Sequence, residues 1–227
     1  MADREGNSEE PLWRQRAVRR SLTTAQARAE DRAADLVRAA WELIDDRGTT
    51  EFTVQDVLAR SGQSVRTLYQ AFGGKDELLL ALLEDAVREQ ADDLRAVVDE
   101  ESEPLPRLRA YTIRLYAWCE PADTDRKPSS HKQLPIAEFA VQLSNLDPAR
   151  VEATMEPVSL LLLELVDDAA AAGVIRTANP ERAAGLLKQL VMYSWHRNRY
   201  IKDPELRITA EEIWDFCLHG FGADPAD

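Results

Sequence analysis

Between Phe52 and Lys75 the chain reads FTVQDVLARSGQSVRTLYQAFGGK, and side chains able to do chemistry sit here at an informative spacing. Two short amphipathic stretches flank Ser61-Gly62. In the second, Val65, Leu68 and Phe72 share an inner helical face, which leaves Arg66, Thr67, Tyr69 and Gln70 directed outward. A helix, a glycine break and a second helix make the geometry by which one helix braces another in the major groove of DNA. The chemistry this implies is hydrogen bonding to nucleic acid.

Catalytic chemistry finds little to work with. His131, His196 and His219 are the three histidines, and none has a nucleophile or a metal partner at useful spacing. HExxH, a nucleophile elbow and a phosphate-binding glycine loop are all absent from the sequence, and Gly73-Gly74 reads as a turn. The abundant carboxylates form a solvated face, because Asp and Glu are rarely buried unpaired. The expectation is a protein that is not an enzyme, with no catalytic residue, no metal and no cofactor. Cys119 and Cys217 lie far apart, which leaves no disulfide framework and no CxxC motif and suits a reducing, cytoplasmic location. No apolar run reaches the roughly 18 residues of a membrane span. The best candidate, Val158 to Val166, is interrupted by Ser159 and Glu164. The polar, charged N-terminus carries no secretory signal, so no membrane partner is expected.

A formal net charge of -13 opposes nucleic-acid binding at first sight, since phosphate binding is driven by Lys and Arg. Its distribution reverses that reading. From Pro11 to Lys75 there are eleven basic residues against eight acidic ones, a net +3, while the remainder carries 17 against 33, or -16. The excess acidity belongs to the body and not to the candidate nucleic-acid segment.

The elements that must position these residues follow from periodicity. At 227 residues with 44% hydrophobic composition, the chain can build a sizeable core. Residues 1 to 27 lack apolar periodicity and read as a mobile arm, basic in its second half, with five arginines and no acid from Arg14 to Arg28. Such arms reach into minor grooves; a solvated tail is the alternative. Leu36, Val37, Ala40, Leu43 and Ile44 then mark a helix over Ala29 to Arg47, stopped by Gly48. Thr53 and Asp56 are spaced like a capping box for a second helix ending near Ser61-Gly62. A third helix runs from about Ser64 to Phe72 and ends at Gly73-Gly74, and a long fourth one opens at Lys75. Helical patterns continue at about 104 to 119, 134 to 146, 148 to 172, 180 to 201 and 209 to 220, with no strand-period segment and no repeat. Pro157 should kink or split its segment, and residues 121 to 133 read as a loop. Asn179-Pro180 and Thr209 with Glu212 read as helix caps.

Three helices, a glycine-punctuated turn and TLYQAFGGKDELL leading into a long fourth helix resemble the TetR family of one-component transcriptional repressors. Tyr69, Phe72 and the GGK turn make the resemblance specific, and it covers about residues 29 to 85. It implies an all-α chain in which a helix-turn-helix DNA-binding domain over 28-74 follows the 1-27 arm. A helical effector-binding and dimerisation domain over 75-227 comes after it. It further implies a cytoplasmic homodimer, two recognition helices on a palindromic double-stranded operator, and release by a small-molecule effector. The last two helices would form the dimer interface, presenting Leu186, Leu187, Leu190 and Val191 with Ile213, Phe216 and Leu218. Cys217 among them reads as a small buried hydrophobe.

Carried over position by position, the resemblance gives Thr53 a phosphate contact, with helix capping as the alternative, and turns Gln55 toward the groove. Ser64, Val65, Arg66 and Thr67 become the base-reading turn, with Arg66 suited to guanine O6 and N7. Gln70 lies on the same outward face. Tyr69 contacts phosphate through its hydroxyl, and Lys75 adds charge at a helix N-terminus, itself a favourable phosphate site. Ala71 stands where many members of the family have a histidine. The effector pocket is expected among Tyr111, Tyr116, Trp118, Phe139, Met155, Leu162, Met192, Tyr193, Trp195 and His196, with ordinary core packing as the alternative for each. Two other function classes are alternatives: a helical ligand-binding or interaction module without DNA binding, and an enzyme. The first leaves Arg66, Tyr69 and Lys75 without a purpose.

Overall fold

The computed structural model describes residues 12–119, 133–198 and 200–221, and these hold ten α-helices, one short 3-10 turn and no strand. The helices are α1 (Leu12–Arg47), α2 (Val54–Ser61), α3 (Val65–Ala71), α4 (Lys75–Asp99), α5 (Pro104–Cys119), α6 (Gln133–Leu146), α7 (Pro148–Thr154), α8 (Glu156–Ala171), α9 (Pro180–Asn198) and α10 (Ala210–Gly220); the 3-10 turn is Pro204–Leu206. Packing divides the chain into two units. One runs up to Leu43 and from Phe52 to Leu78, and the other holds Ile44–Glu51 and everything from Leu79 onward.

The arm expected over residues 1 to 27 is corrected by helix from Leu12, while residues 1–11 and most of the loop read at 121 to 133 lie outside the described residues. No glycine or proline interrupts residues 12 to 47, and Arg, Ala, Gln and Leu are strong helix formers. Apolar periodicity was the wrong guide there because residues 20 to 32 are exposed and need no buried stripe.

In the first unit the core is small. Leu36, Ala39, Ala40 and Leu43 of α1 are buried there, as are Phe52, Val57, Leu58, Leu68 and Leu78. Each large aliphatic side chain so placed stabilises by about 1.5–3 kcal/mol. The turn between α2 and α3 depends on Gly62, whose φ of +67° closes α2 by letting its N–H donate to the Leu58 carbonyl at 3.0 Å. Beside it, Gln63 Nε2 donates to Asp35 Oδ2 at 3.0 Å and ties the turn to α1.

The second unit is built on α5, which packs against α8, α9 and α10, with α8 also against α9. Tyr111 is fully buried and donates its hydroxyl to the Val158 carbonyl at 2.9 Å. Asn198, at the end of α9, brackets Ile208: its Nδ2 donates to the Ile208 carbonyl at 2.7 Å and its Oδ1 accepts the Ile208 N–H at 3.1 Å. The Arg95 guanidinium forks onto Glu164 and holds that carboxyl below its ordinary range. Pro157 splits its segment as expected: α7 ends at Thr154, and Pro157 sits in the first turn of α8. The Asn179 cap and the Thr209–Glu212 capping box both form. Cys217 is buried, and that burial pushes its thiol up to about 11.

Leu68 is completely buried, so Leu68→Ala should lower the unfolding free energy by about 2–5 kcal/mol. Equilibrium urea denaturation followed by far-UV circular dichroism measures this, and an unchanged midpoint would refute the packing assigned to α3.

Candidate nucleic-acid interface and cavity

The outward surface of α3 is created by what holds its ends. Ser64 precedes the helix in extended backbone, and its Oγ accepts the Thr67 N–H at 3.1 Å. The Ser64 and Thr67 hydroxyls lie 2.9 Å apart, so the two can hold only one shared proton between them and the other hydrogen remains available to an outside acceptor. Arg66, Tyr69 and Gln70 are exposed, and Thr67 is half-buried. Val65, expected on the inner face, is 47% exposed. The correction has a simple cause: seven residues make fewer than two turns, and Leu68 alone reaches the core. Phe72 has already left the helix in extended backbone, at φ -135° and ψ 138°. Val65 thus joins Ser64, Arg66 and Thr67 in the N-terminal turn, with the Tyr69 hydroxyl one turn further along the open side.

Thr53 is committed to capping. Its Oγ1 accepts the Asp56 N–H at 3.1 Å and donates to Asp56 Oδ2 at 2.9 Å, while its own N–H donates to the same carboxylate at 2.7 Å. A hydroxyl has one hydrogen to give, so a phosphate contact from Thr53 would require releasing Asp56. Gln55, two residues on, is exposed.

Gly73 and Gly74 do not end α3 as expected. Neither has a left-handed backbone, and both serve the start of α4. The Gly73 N–H donates to Glu77 Oε2 at 2.7 Å, and a Cβ on Gly73 would stand 3.0 Å from that carboxylate. Gly74 O accepts the first helical N–H, from Leu78. Glu77 therefore already occupies part of what an anion would seek at this helix N-terminus. Lys75, half-buried, places its Nζ over the Phe52 ring at 4.9 Å from the centroid. The buried ring fixes where that positive charge stands. Ala71 is exposed and offers no polar atom.

The second unit holds a cavity of about 500 Å³. Its walls come from α4 (Leu83, Ala86, Val87, Gln90), α5 (Leu115, Trp118), α6 (Ile136, Ala140, Ser144, Asn145), α7 (Val151, Glu152), Met155 between α7 and α8, α8 (Val158, Ser159), and α9 (Lys188, Gln189, Met192, Trp195). Of the residues expected at an effector pocket, Trp118, Met155, Met192 and Trp195 are on its wall. Tyr111, Tyr116, Phe139 and Leu162 are instead buried in the core, and Tyr193 and His196 are not on the wall. His196 stacks edge-on with Tyr200 at 5.3 Å between centroids. Gln90, Asn145, Ser159 and Lys188 also line it, polar residues outside the aromatic and Met set expected from the sequence. A lysine inside the apolar run Ala183-Ala184-Gly185-Leu186-Leu187-Lys188 was the available signal. Trp118 is held by Asp93, which accepts its Nε1–H at 2.7 Å and two bonds from Arg114, each 2.6 Å.

The apolar positions expected at an interface between chains divide in two. Leu187, Val191, Ile213 and Leu218 are buried within the chain. Leu186 (72%) and Phe216 (69%) are exposed instead, and Leu190 is half-buried; Tyr193, expected at the pocket, is also exposed (69%). Among the described residues no group of His, Cys, Asp and Glu has the arrangement of a metal site, and His131 lies outside them. No helix there is long and apolar enough to cross a membrane.

Residues 36–82 match the family model described as bacterial regulatory proteins, tetR family. Over 79 residues the chain is 34% identical to the HTH-type transcriptional regulator BetI of Brucella anthropi, a match covering 35% of this chain and 41% of that relative's length. It is 24% identical over 213 residues to the HTH-type transcriptional regulator EthR of Mycobacterium tuberculosis, covering 91% of this chain and 95% of EthR. Among solved structures, AibR in complex with isovaleryl coenzyme A and operator DNA superposes with a TM-score of 0.55 at 22% identity, over 85% of this chain and 100% of AibR. The match to BetI spans well under half of either chain, and the likeness to AibR is one of fold.

Because Thr53 closes a reciprocal cap, Thr53→Ala should cost about 1 kcal/mol of stability. Thermal unfolding checks this, and a melting temperature equal to that of the parent would show that the cap contributes nothing.

Proposed function

Because the chain belongs to the TetR family of bacterial regulatory proteins, we propose that it is a DNA-binding transcriptional regulator, a cytoplasmic homodimer that represses from a palindromic operator until a small-molecule effector releases it. The observation that carries this is the open face of α3. A helix seven residues long exposes Val65, Arg66, Tyr69 and Gln70 together, and its capping hydroxyls at Ser64 and Thr67 retain a donor for DNA. Arg66 suits bidentate pairing with guanine, and Thr67 suits a thymine methyl or a phosphate. The Tyr69 hydroxyl and Lys75 suit phosphate, which positions the protein without reading sequence. Gln55 is a groove-facing donor, whereas Thr53 acts through its cap.

Exposed Leu186, Tyr193 and Phe216, with Leu190 beside them, supply the apolar face for a second copy. The cavity supplies the effector site. One helix serves both ends of the mechanism: α4 begins with Lys75 and further along contributes Leu83, Ala86, Val87 and Gln90 to the cavity wall. A ligand that prefers one placement of α4 shifts the population of DNA-competent protein by its differential affinity for the two states. AibR, a protein of this fold, has been solved in complex with both isovaleryl coenzyme A and operator DNA, which supports this reading. An enzymatic role draws no support from relatives named as transcriptional regulators.

Gel-shift titration with DNA from upstream of the chain's own gene tests the reading. Arg66→Ala should cost about 1–3 kcal/mol on the specific site and relax its preference at one base pair. Tyr69→Phe should weaken binding to every sequence alike, and unchanged affinity would remove the phosphate role. Deleting residues 1 to 27 takes away Arg14, Arg16, Arg19 and Arg20, so affinity and the steepness of its salt dependence should both fall. An unchanged salt slope would show that this segment does not touch DNA.

A further inference from the structure

We propose that the cavity of the second unit takes an apolar monocarboxylate, its chain among the aliphatic and indole side chains and its carboxylate on Lys188. The inference rests on the effector reading above and names the chemical class of that effector. Most of the wall is apolar, with Leu83, Val87, Trp118, Met155 and Met192 among its members, so the bulk of a ligand there must be hydrocarbon. Lys188 breaks the pattern. Its half-buried ammonium reaches the wall from α9 and donates one hydrogen bond to Ser159 Oγ of α8, at 3.0 Å. An ammonium has three hydrogens, and among the described residues no carboxylate pairs with this one. The described ion pairs join arginines such as Arg95, Arg107 and Arg114 to Asp or Glu in this strongly acidic chain, while Lys188 is left to a neutral hydroxyl.

A carboxylate arriving beside Lys188 gains a charge-assisted bond in surroundings of low polarity, where such bonds are strong. Ser159 keeps the ammonium aimed by accepting from it, and its own hydrogen remains free for the second carboxylate oxygen. Glu152, the other charged residue on the wall, is exposed on α7 and disfavours an anion only near itself. It also sets the sense of the ligand, with the hydrocarbon end toward α7 and the acid toward the α8–α9 side. A neutral alcohol of the same length fills the same space without the charge, and an amine meets Lys188 as a like charge.

The test uses the full chain free of DNA, with decanoate, 1-decanol and decylamine as probes, followed by calorimetry and by the fluorescence of Trp118 and Trp195 on the wall. Decanoate should bind about tenfold more tightly than decanol, and decylamine no more tightly than decanol. Lys188→Met, which keeps the length of the side chain, should erase the preference for decanoate and leave decanol affinity unchanged. Ser159→Ala should weaken decanoate by a smaller factor. Equal affinity for acid and alcohol, full decanoate affinity in Lys188→Met with a parental melting temperature, or no binding of any probe would overturn the assignment. Gel shift in the presence and absence of decanoate separates the two readings. A DNA complex that forms while decanoate binds no better than decanol defeats the ligand class alone, and preferred decanoate binding by a chain that never binds DNA defeats the regulator alone.

Discussion

A helix of seven residues cannot hold its own shape in water, and α3 is such a helix. Everything that presents its outer face must come from its neighbours. Leu68 anchors it to the core, Ser64 caps its first turn, and Gly62 turns the chain toward it from α2. The Gln63–Asp35 bond ties that turn to α1. Since one inward residue is enough, the remaining side chains are released for recognition. A longer helix would need a wider apolar stripe and would expose fewer donors per turn.

The same economy explains which parts of the fold were legible in the sequence. Caps and breaks are local chemistry, so Thr53 with Asp56, Thr209 with Glu212, the Ser61-Gly62 break and Pro157 all announced themselves. The residues that carry the resemblance were legible for the same reason, because the motif is contiguous. Val65 was misplaced on the inner face because the direction of a two-turn helix is set by its packing and not by its period. The helix from Leu12 was missed because an exposed helix has no apolar stripe to display. Gly73 and Gly74 were read as a stop for α3 when Glu77, four residues beyond Gly73, makes them the entry to α4.

The cavity was the least legible feature. Its wall draws on α4 to α9, so its members share no sequence window, and an aromatic there looks like an aromatic in the core. Trp118 and Tyr116 are two residues apart on α5, yet the first faces the cavity and the second is buried in the core. Polar residues were passed over because charge in a helix normally signals solvent. Lys188 and Ser159 show how a single polar pair within an apolar wall can give a cavity chemical preference.

One chain holds a basic, donor-bearing N-terminal unit and an acidic helical unit, and α4 contributes residues to each. Selection of bound sequences from a random DNA pool by the full chain tests the central claim most directly. The account predicts enrichment of a palindrome whose half-sites are centred about one helical turn apart, roughly 34–36 Å. Failure to enrich any sequence at moderate salt, or enrichment of a lone unsymmetrical site, would contradict it.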